Sequence, residues 1–187
     1  IMQYNTSYGM LVDDFAPYPL DLSRGRVTVE EAEVRILDPD HPITGLDDSK
    51  KLSERKRENL FGEIREKALA RSVIVMSPAD IDRLNILAAT MEGMSRAIAA
   101  LDPAPTLALI DGNREPDAPC PVRTIIGGDA LEPAISAASI LAKVTRDRIM
   151  LELHGRFPDY GFDRNKGYPT AEHLERLTEP FYRADPS

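Results

Sequence analysis

Two carboxylates stand where strand ends would deliver them to a ligand. Asp111 closes the apolar run Leu107–Ile110 and is followed by Gly112 and Asn113; Asp129 follows a second run, Arg123–Ile126, and the glycines Gly127 and Gly128. Open α/β sheets bind ligands outside the carboxyl ends of their strands. If these two strands are neighbours, both carboxylates converge on one ion. A hard cation such as Mg²⁺ accepts so small a donor set because it keeps several of its waters. The spacing leaves plainer roles open, an Asx-turn at Asp111 and a first-turn helix acid at Asp129. Cations and hydroxyls add a second ingredient. Ser49-Lys50-Lys51 precedes a helix start, Lys143 follows Ser139 by one helical turn, and Lys166-Gly167-Tyr168 follows a loop. Lysines act as point charges for phosphate, and a tyrosine ring stacks on a sugar or base. Acids and cations together describe a site for phosphodiester chemistry.

The elements that must hold these residues alternate between strand and helix patterns. Residues 1–26 fit no regular element, with Pro17 and Pro19 as breakers, though Met10–Val12 reads as a short strand ending at Asp13-Asp14. Val27–Leu37 alternates as a strand with an acidic middle. Ser53 is placed to cap a helix beginning at Glu54, with Leu60, Phe61, Ile64 and Leu69 as its apolar stripe. Ser72–Met76 reads as a short buried strand. Ser77-Pro78 opens a helix expected to run to about Leu101, where Pro103 and Pro105 end it. Leu107–Ile110 and Arg123–Ile126 are strands, Pro133 opens a long Ala- and Ser-rich helix, and Thr170 caps a last helix carrying His173, Leu174 and Leu177. Strands interleaved with helices give an α/β class.

Bulk properties bound the function. A chain of 187 residues with 42% apolar and 29% charged residues is expected to form one soluble domain over 1–187. No run reaches the ~20 apolar residues of a membrane helix, and residues 1–9 lack a signal-peptide pattern. A single cysteine, Cys120, fits a reducing compartment, so a cytoplasmic location and no membrane partner are expected. The net charge of −8 argues against binding nucleic acid by bulk electrostatics. It does not exclude a nuclease, because the basic residues cluster at Lys50-Lys51, Arg55–Arg57, Arg114, Lys143–Arg148 and Arg164–Lys166.

Five segments carry a family resemblance: Gly45–Ser53 (GLDDSKKLS), Leu109–Arg114 (LIDGNR), Gly128-Asp129-Ala130, Ile135–Asp147 (ISAASILAKVTRD) and Asn165–Thr170 (NKGYPT). In residues, order and spacing they resemble bacterial ribonuclease HII, as does Asn85-Ile86-Leu87, over Ile36 to about Leu177. The resemblance implies a ribonuclease H-like fold: a mixed five-stranded sheet flanked by helices, with a C-terminal helical extension from about residue 150. It implies endonucleolytic cleavage of the RNA strand of RNA–DNA hybrids, including single ribonucleotides embedded in DNA, by a monomer using Mg²⁺ or Mn²⁺. The products would carry 3′-hydroxyl and 5′-phosphate ends. On that pattern Asp111 and Asp129 are catalytic metal ligands. Ser49, Lys50, Lys143 and Lys166 hold phosphates, with Asn113, Arg114 and Ser139 in the same nucleic-acid surface. Tyr168 stacks against the deoxyribose beside the ribonucleotide.

The chain departs from the pattern at its start. The family opens with an Asp-Glu pair at the end of the first strand, followed by Ala-Gly-Arg-Gly, and no such string occurs here. Asp13-Asp14 follows an apolar triplet, as a strand-end pair should, and is the preferred substitute for both catalysis and metal binding. Asp21 with Ser23-Arg24-Gly25 preserves the distance but has Leu22 in the glutamate's place. A hybrid-binding homologue without catalysis is therefore the alternative to an active enzyme. Gly127 also replaces a usual lysine, and Asn165 a usual histidine.

Overall fold

The computed structural model describes residues 42–176 and the backbone of 30–37. The Asp13-Asp14 pair, Asp21, the Met10–Val12 strand and Leu177 lie outside the described residues.

Among the described residues four strands form two ladders. β1 (Glu30–Leu37) runs antiparallel to β2 (Ala68–Met76), and β3 (Ala108–Asp111) runs parallel to β4 (Val122–Ile125). Both strand senses of a mixed sheet are thus present. The helices between them are α1 (Glu54–Lys67), α2 (Pro78–Leu84) and α3 (Ile86–Ala99). After β4 come α4 (Gly128–Leu131), α5 (Pro133–Arg156), α6 (Phe162–Asn165) and α7 (Ala171–Arg176).

Local chemistry explains most boundaries. Ser53 accepts a hydrogen bond from the Lys56 amide and caps α1. Ser77 and Asp80 form a reciprocal capping box, and Pro78 occupies the first turn of α2. Two expectations are corrected. The helix opened by Pro78 does not run on to Leu101, because Asn85 stands at φ 68° and ends α2 while its side chain caps α3. With ψ at 163° Asn85 lies well outside helical geometry, and its side chain accepts from the Ala88 amide, so the break falls there although the apolar period continues through it. Leu69 is not in the stripe of α1: the helix ends at Lys67, and Leu69 is an exposed residue of β2, which begins earlier than expected.

Strand alternation decides what faces the site. On β3, Ala108 and Ile110 pack into a core with Met94, Ala97 and Ile98 of α3 and Ala70 of β2. Leu109 points to the other face and meets Ile125, Ile135 and Ala138 at the start of α5. With period two, Asp111 shares that second face, toward α4 and α5. A further core joins Leu60, Phe61 and Ile64 of α1 to Ala137, Ile140, Leu141 and Val144 of α5. The small residues of α5 let it lie close against its neighbours: Ser136, Ala137, Ala138, Ser139 and Ala142 are all buried.

Candidate active site

Asp111 ends β3 at a point where the backbone turns away. Gly112, at φ 107°, still donates to the Ile125 carbonyl at 3.0 Å, so the parallel pair stays closed up to the carboxylate. The chain leaving β4 returns through Gly127, at φ 69°, a conformation glycine adopts without steric cost. This turn aims the Gly128 amide at Asp111, and N–H donates to Oδ1 at 2.8 Å. Gly128 is packed so tightly that a Cβ there would collide with Ile135 Cδ1. Asp129 follows in the first turn of α4, and its carbonyl accepts from the buried Ser136 hydroxyl at 2.6 Å, which fixes α4 on α5.

The two carboxylates act on each other. Burial is the main cause that raises the Asp111 carboxyl above its ordinary 3.8; the Gly128 hydrogen bond opposes it, the negative charge of Asp129 adds to it, and Lys50 counters in turn. β3 and β4 are neighbours and Asp111 ends β3, while Asp129 takes the first-turn helix position that its spacing also left open, from which its charge acts on Asp111. Asn113 and Arg114 are exposed and, with Leu87, Met91 and Gly112, line a shallow depression beside Asp111. Among the described residues no group of three or more acids, histidines or cysteines could hold a metal ion.

A second cluster lies along α5. The Ser139 hydroxyl donates to the Ser49 hydroxyl at 2.7 Å, and both side chains are fully buried, so they join the 47–52 loop to α5 inside the protein. Arg57 donates to the carbonyls of Ser49 and Leu52, holding the same loop from α1. Lys50 is exposed at the loop's tip, where its amide bonds the Asp48 carboxylate. Lys143 is buried and meets Asp147 at 2.5 Å, with Arg57 and Arg146 each 3.9 Å from the same carboxylate. Arg146 then reaches the last loop, donating to the Lys166 carbonyl and placing its guanidinium carbon 4.7 Å from the Tyr168 ring centre. Lys143 lies 5.9 Å from the same ring.

The chain that carries these residues is similar to known proteins. Residues 33–184 match the family described as Ribonuclease HII. The chain belongs to the ribonuclease HII family. It is 59% identical to the ribonuclease HII of Shewanella halifaxensis (strain HAW-EB4) over 77% of this chain and 71% of that protein. It is 60% identical to that of Burkholderia mallei (strain SAVP1), over 77% of this chain and 67% of the relative. The crystal structure of ribonuclease H2 from Pyrococcus horikoshii OT3 superposes with a TM-score of 0.71 at 25% identity, covering 83% of this chain and 80% of that one. The ribonuclease H-like α/β fold expected from the sequence is thereby shown.

Within this ribonuclease HII chain several residues matter that their types alone do not single out. Arg57, Arg146 and Asp147 tie the 47–52 loop and the loop of Lys166 and Tyr168 to α5; only the one-turn spacing of Lys143 and Asp147 is visible in the sequence. Asn165, in place of the usual histidine, is buried and satisfied on both sides, donating to the Tyr160 carbonyl and accepting from the Gly167 amide, each at 2.7 Å. Among the described residues no helix is long and apolar enough to cross a membrane.

Proposed function

We propose that this protein is an endonuclease that hydrolyses the RNA strand of RNA–DNA hybrids, including single ribonucleotides embedded in DNA, and leaves 3′-hydroxyl and 5′-phosphate ends. The observation that carries the proposal is the half-buried Asp111 carboxylate at the end of β3, held by the Gly128 amide at 2.8 Å, with the charges of Asp129 and Lys50 acting on it. Relatives at about 60% identity named ribonuclease HII support it.

Asp111 and Asp129 would hold a divalent ion, Mg²⁺ or Mn²⁺, because two carboxylates supply the hard oxygen donors such ions take while retaining water. Bound there, the ion would acidify a water and offset charge on the scissile phosphate. Asp13 and Asp14 are proposed as the further acids of the site. The Gly128 amide engages only Oδ1 of Asp111 and so leaves the other oxygen outside that bond. Exposed Lys50 and half-exposed Lys166 bring positive charge for phosphates, and Asn113 and Arg114 line the path beside Asp111. Ser49, Ser139 and Lys143 are buried and serve by fixing the loop and helix that present those groups. Tyr168 offers its ring to the sugar next to the ribonucleotide. Discrimination between RNA and DNA at one position must use the 2′-hydroxyl, the group that distinguishes them.

Residues 1–187 act in this reading as one cytoplasmic, monomeric domain whose segment from about residue 150 carries Lys166 and Tyr168. Its test is a panel of labelled RNA–DNA, DNA–DNA and RNA–RNA duplexes incubated with the protein in Mg²⁺ and separately in Mn²⁺. Cleavage confined to the RNA strand of the hybrid is expected; equal cutting of DNA–DNA or RNA–RNA would contradict the substrate class.

A further inference from the structure

Lys166 adopts φ 48° and Gly167 φ 77°, two consecutive left-handed residues immediately before Tyr168. For lysine this conformation is strained, and such residues persist only where their surroundings over-determine them. Three contacts do so here. Asn165 accepts from the Gly167 amide at 2.7 Å, the Tyr168 amide donates to the Asn165 carbonyl at 2.8 Å, and Arg146 donates to the Lys166 carbonyl. Arg146 is 2% exposed, and its guanidinium lies over the Tyr168 ring at 4.7 Å. A cation at this distance over an aromatic face is attracted by the ring quadrupole, most strongly when desolvated. One side chain of α5 therefore fixes both the strained backbone and the ring it projects. The Asp147 carboxylate, 3.9 Å from Arg146 and also paired with Lys143, ties the guanidinium to the rest of the site.

We propose that Arg146 is the positioning residue for Tyr168: it covers one face of the ring and presents the remainder to the sugar at the RNA–DNA junction. The proposal rests on the junction-reading role proposed for Tyr168 above. Arginine suits this task where lysine does not, because its planar fork donates in its plane while its face stacks on the ring. An ammonium in the same place could serve the carbonyl or the ring, but not both in that geometry.

The experiment compares Arg146→Lys, Tyr168→Ala and the double variant on two substrates, a duplex with one embedded ribonucleotide and a uniform RNA–DNA hybrid. Circular dichroism first establishes that each variant is folded at the assay temperature. Arg146→Met, which keeps an apolar stem of similar reach, replaces Arg146→Lys if the latter does not fold. The expected result is a loss of kcat/KM of about tenfold on the embedded ribonucleotide and about threefold on the uniform hybrid. Tyr168→Ala shows the same selectivity, and adding Arg146→Lys to it causes no further loss on the junction substrate. Equal losses on both substrates, or losses that multiply in the double variant, overturn the positioning role. If Tyr168→Ala is selective and Arg146→Lys is not, the proposal alone falls. If Tyr168→Ala shows no selectivity, the role of Tyr168 falls first and this inference with it.

Discussion

Replacing Gly128 by alanine adds one methyl group at a tightly packed point beside Asp111. A Cβ there would collide with Ile135 Cδ1, stand 3.4 Å from Ile125 Cβ and 3.6 Å from Asp111 Oδ1. Ile135 is fully buried, so its side chain cannot swing to solvent, and the Ile125 Cβ is fixed to the β4 backbone. Inserting a methyl into such packing costs about 1–3 kcal/mol. Against this, alanine restricts the unfolded chain and returns about 0.4–1 kcal/mol at a backbone conformation it can adopt. Overpacking wins, and Gly128→Ala is expected to destabilise by roughly 1–2 kcal/mol. Urea titration at an unchanged m-value reads this directly. The partner variant is Ile135→Val, which deletes the colliding methyl and alone costs about 0.5–1.5 kcal/mol. In the Gly128→Ala background it should cost much less or stabilise, a coupling on the order of 1 kcal/mol. Cleavage should fall further than stability, by about 10–100-fold, because a displaced Gly128 amide releases Asp111. Additive stabilities, or a Gly128→Ala protein as stable and as active as the parent, would refute the packing argument.

Three further outcomes follow from buried groups. Asp147→Ala leaves Lys143, Arg57 and Arg146 without their shared carboxylate, and should destabilise by about 3–5 kcal/mol; a thermal-denaturation loss equivalent to under ~1 kcal/mol would show that the cluster is solvated. Asn165→Ala strands the Gly167 amide, leaves the Tyr160 carbonyl only its contact with the His173 ring, and should cost about 1–3 kcal/mol by urea titration, whereas an unchanged midpoint would mean the loop holds itself. Burial lowers the His173 imidazole below its ordinary 6.5, so the unfolded chain binds more protons there, and stability present above pH 6.5 is lost as pH falls toward the folded value. The melting temperature of the parent should therefore drop more between pH 7.5 and pH 5.5 than that of His173→Gln; equal drops would contradict this.

Legibility in the sequence followed the range of the forces involved. The Ser53 cap, the Ser77-Pro78 helix start and the acid Asp111 at the end of β3 depend on neighbours along the chain, and each stands where local chemistry puts it. Asn85 was opaque because the helical period continues across it, and its break depends on a positive-φ backbone that leaves no mark on apolar spacing. The Ser49–Ser139 hydroxyl pair joins residues 90 positions apart, and Arg57 reaches the same loop from another helix. A buried serine and an exposed one have the same letter, so the inward turn of both hydroxyls needed coordinates. The same holds for Asp147, which as a charged residue on a long helix reads as a solvated face until α1 closes over it.

The proposed role of Asp111 and Asp129 as the acid core of a ribonuclease is tested by cleavage of a DNA duplex carrying one ribonucleotide by the parent, Asp111→Asn and Asp129→Asn proteins, in Mg²⁺ and in Mn²⁺. The parent should make a single nick at the ribonucleotide, leaving 3′-hydroxyl and 5′-phosphate ends. Each variant, still folded, should lose activity by at least ~10³-fold. No nick by the folded parent in either metal, or parental activity in Asp111→Asn, would contradict it.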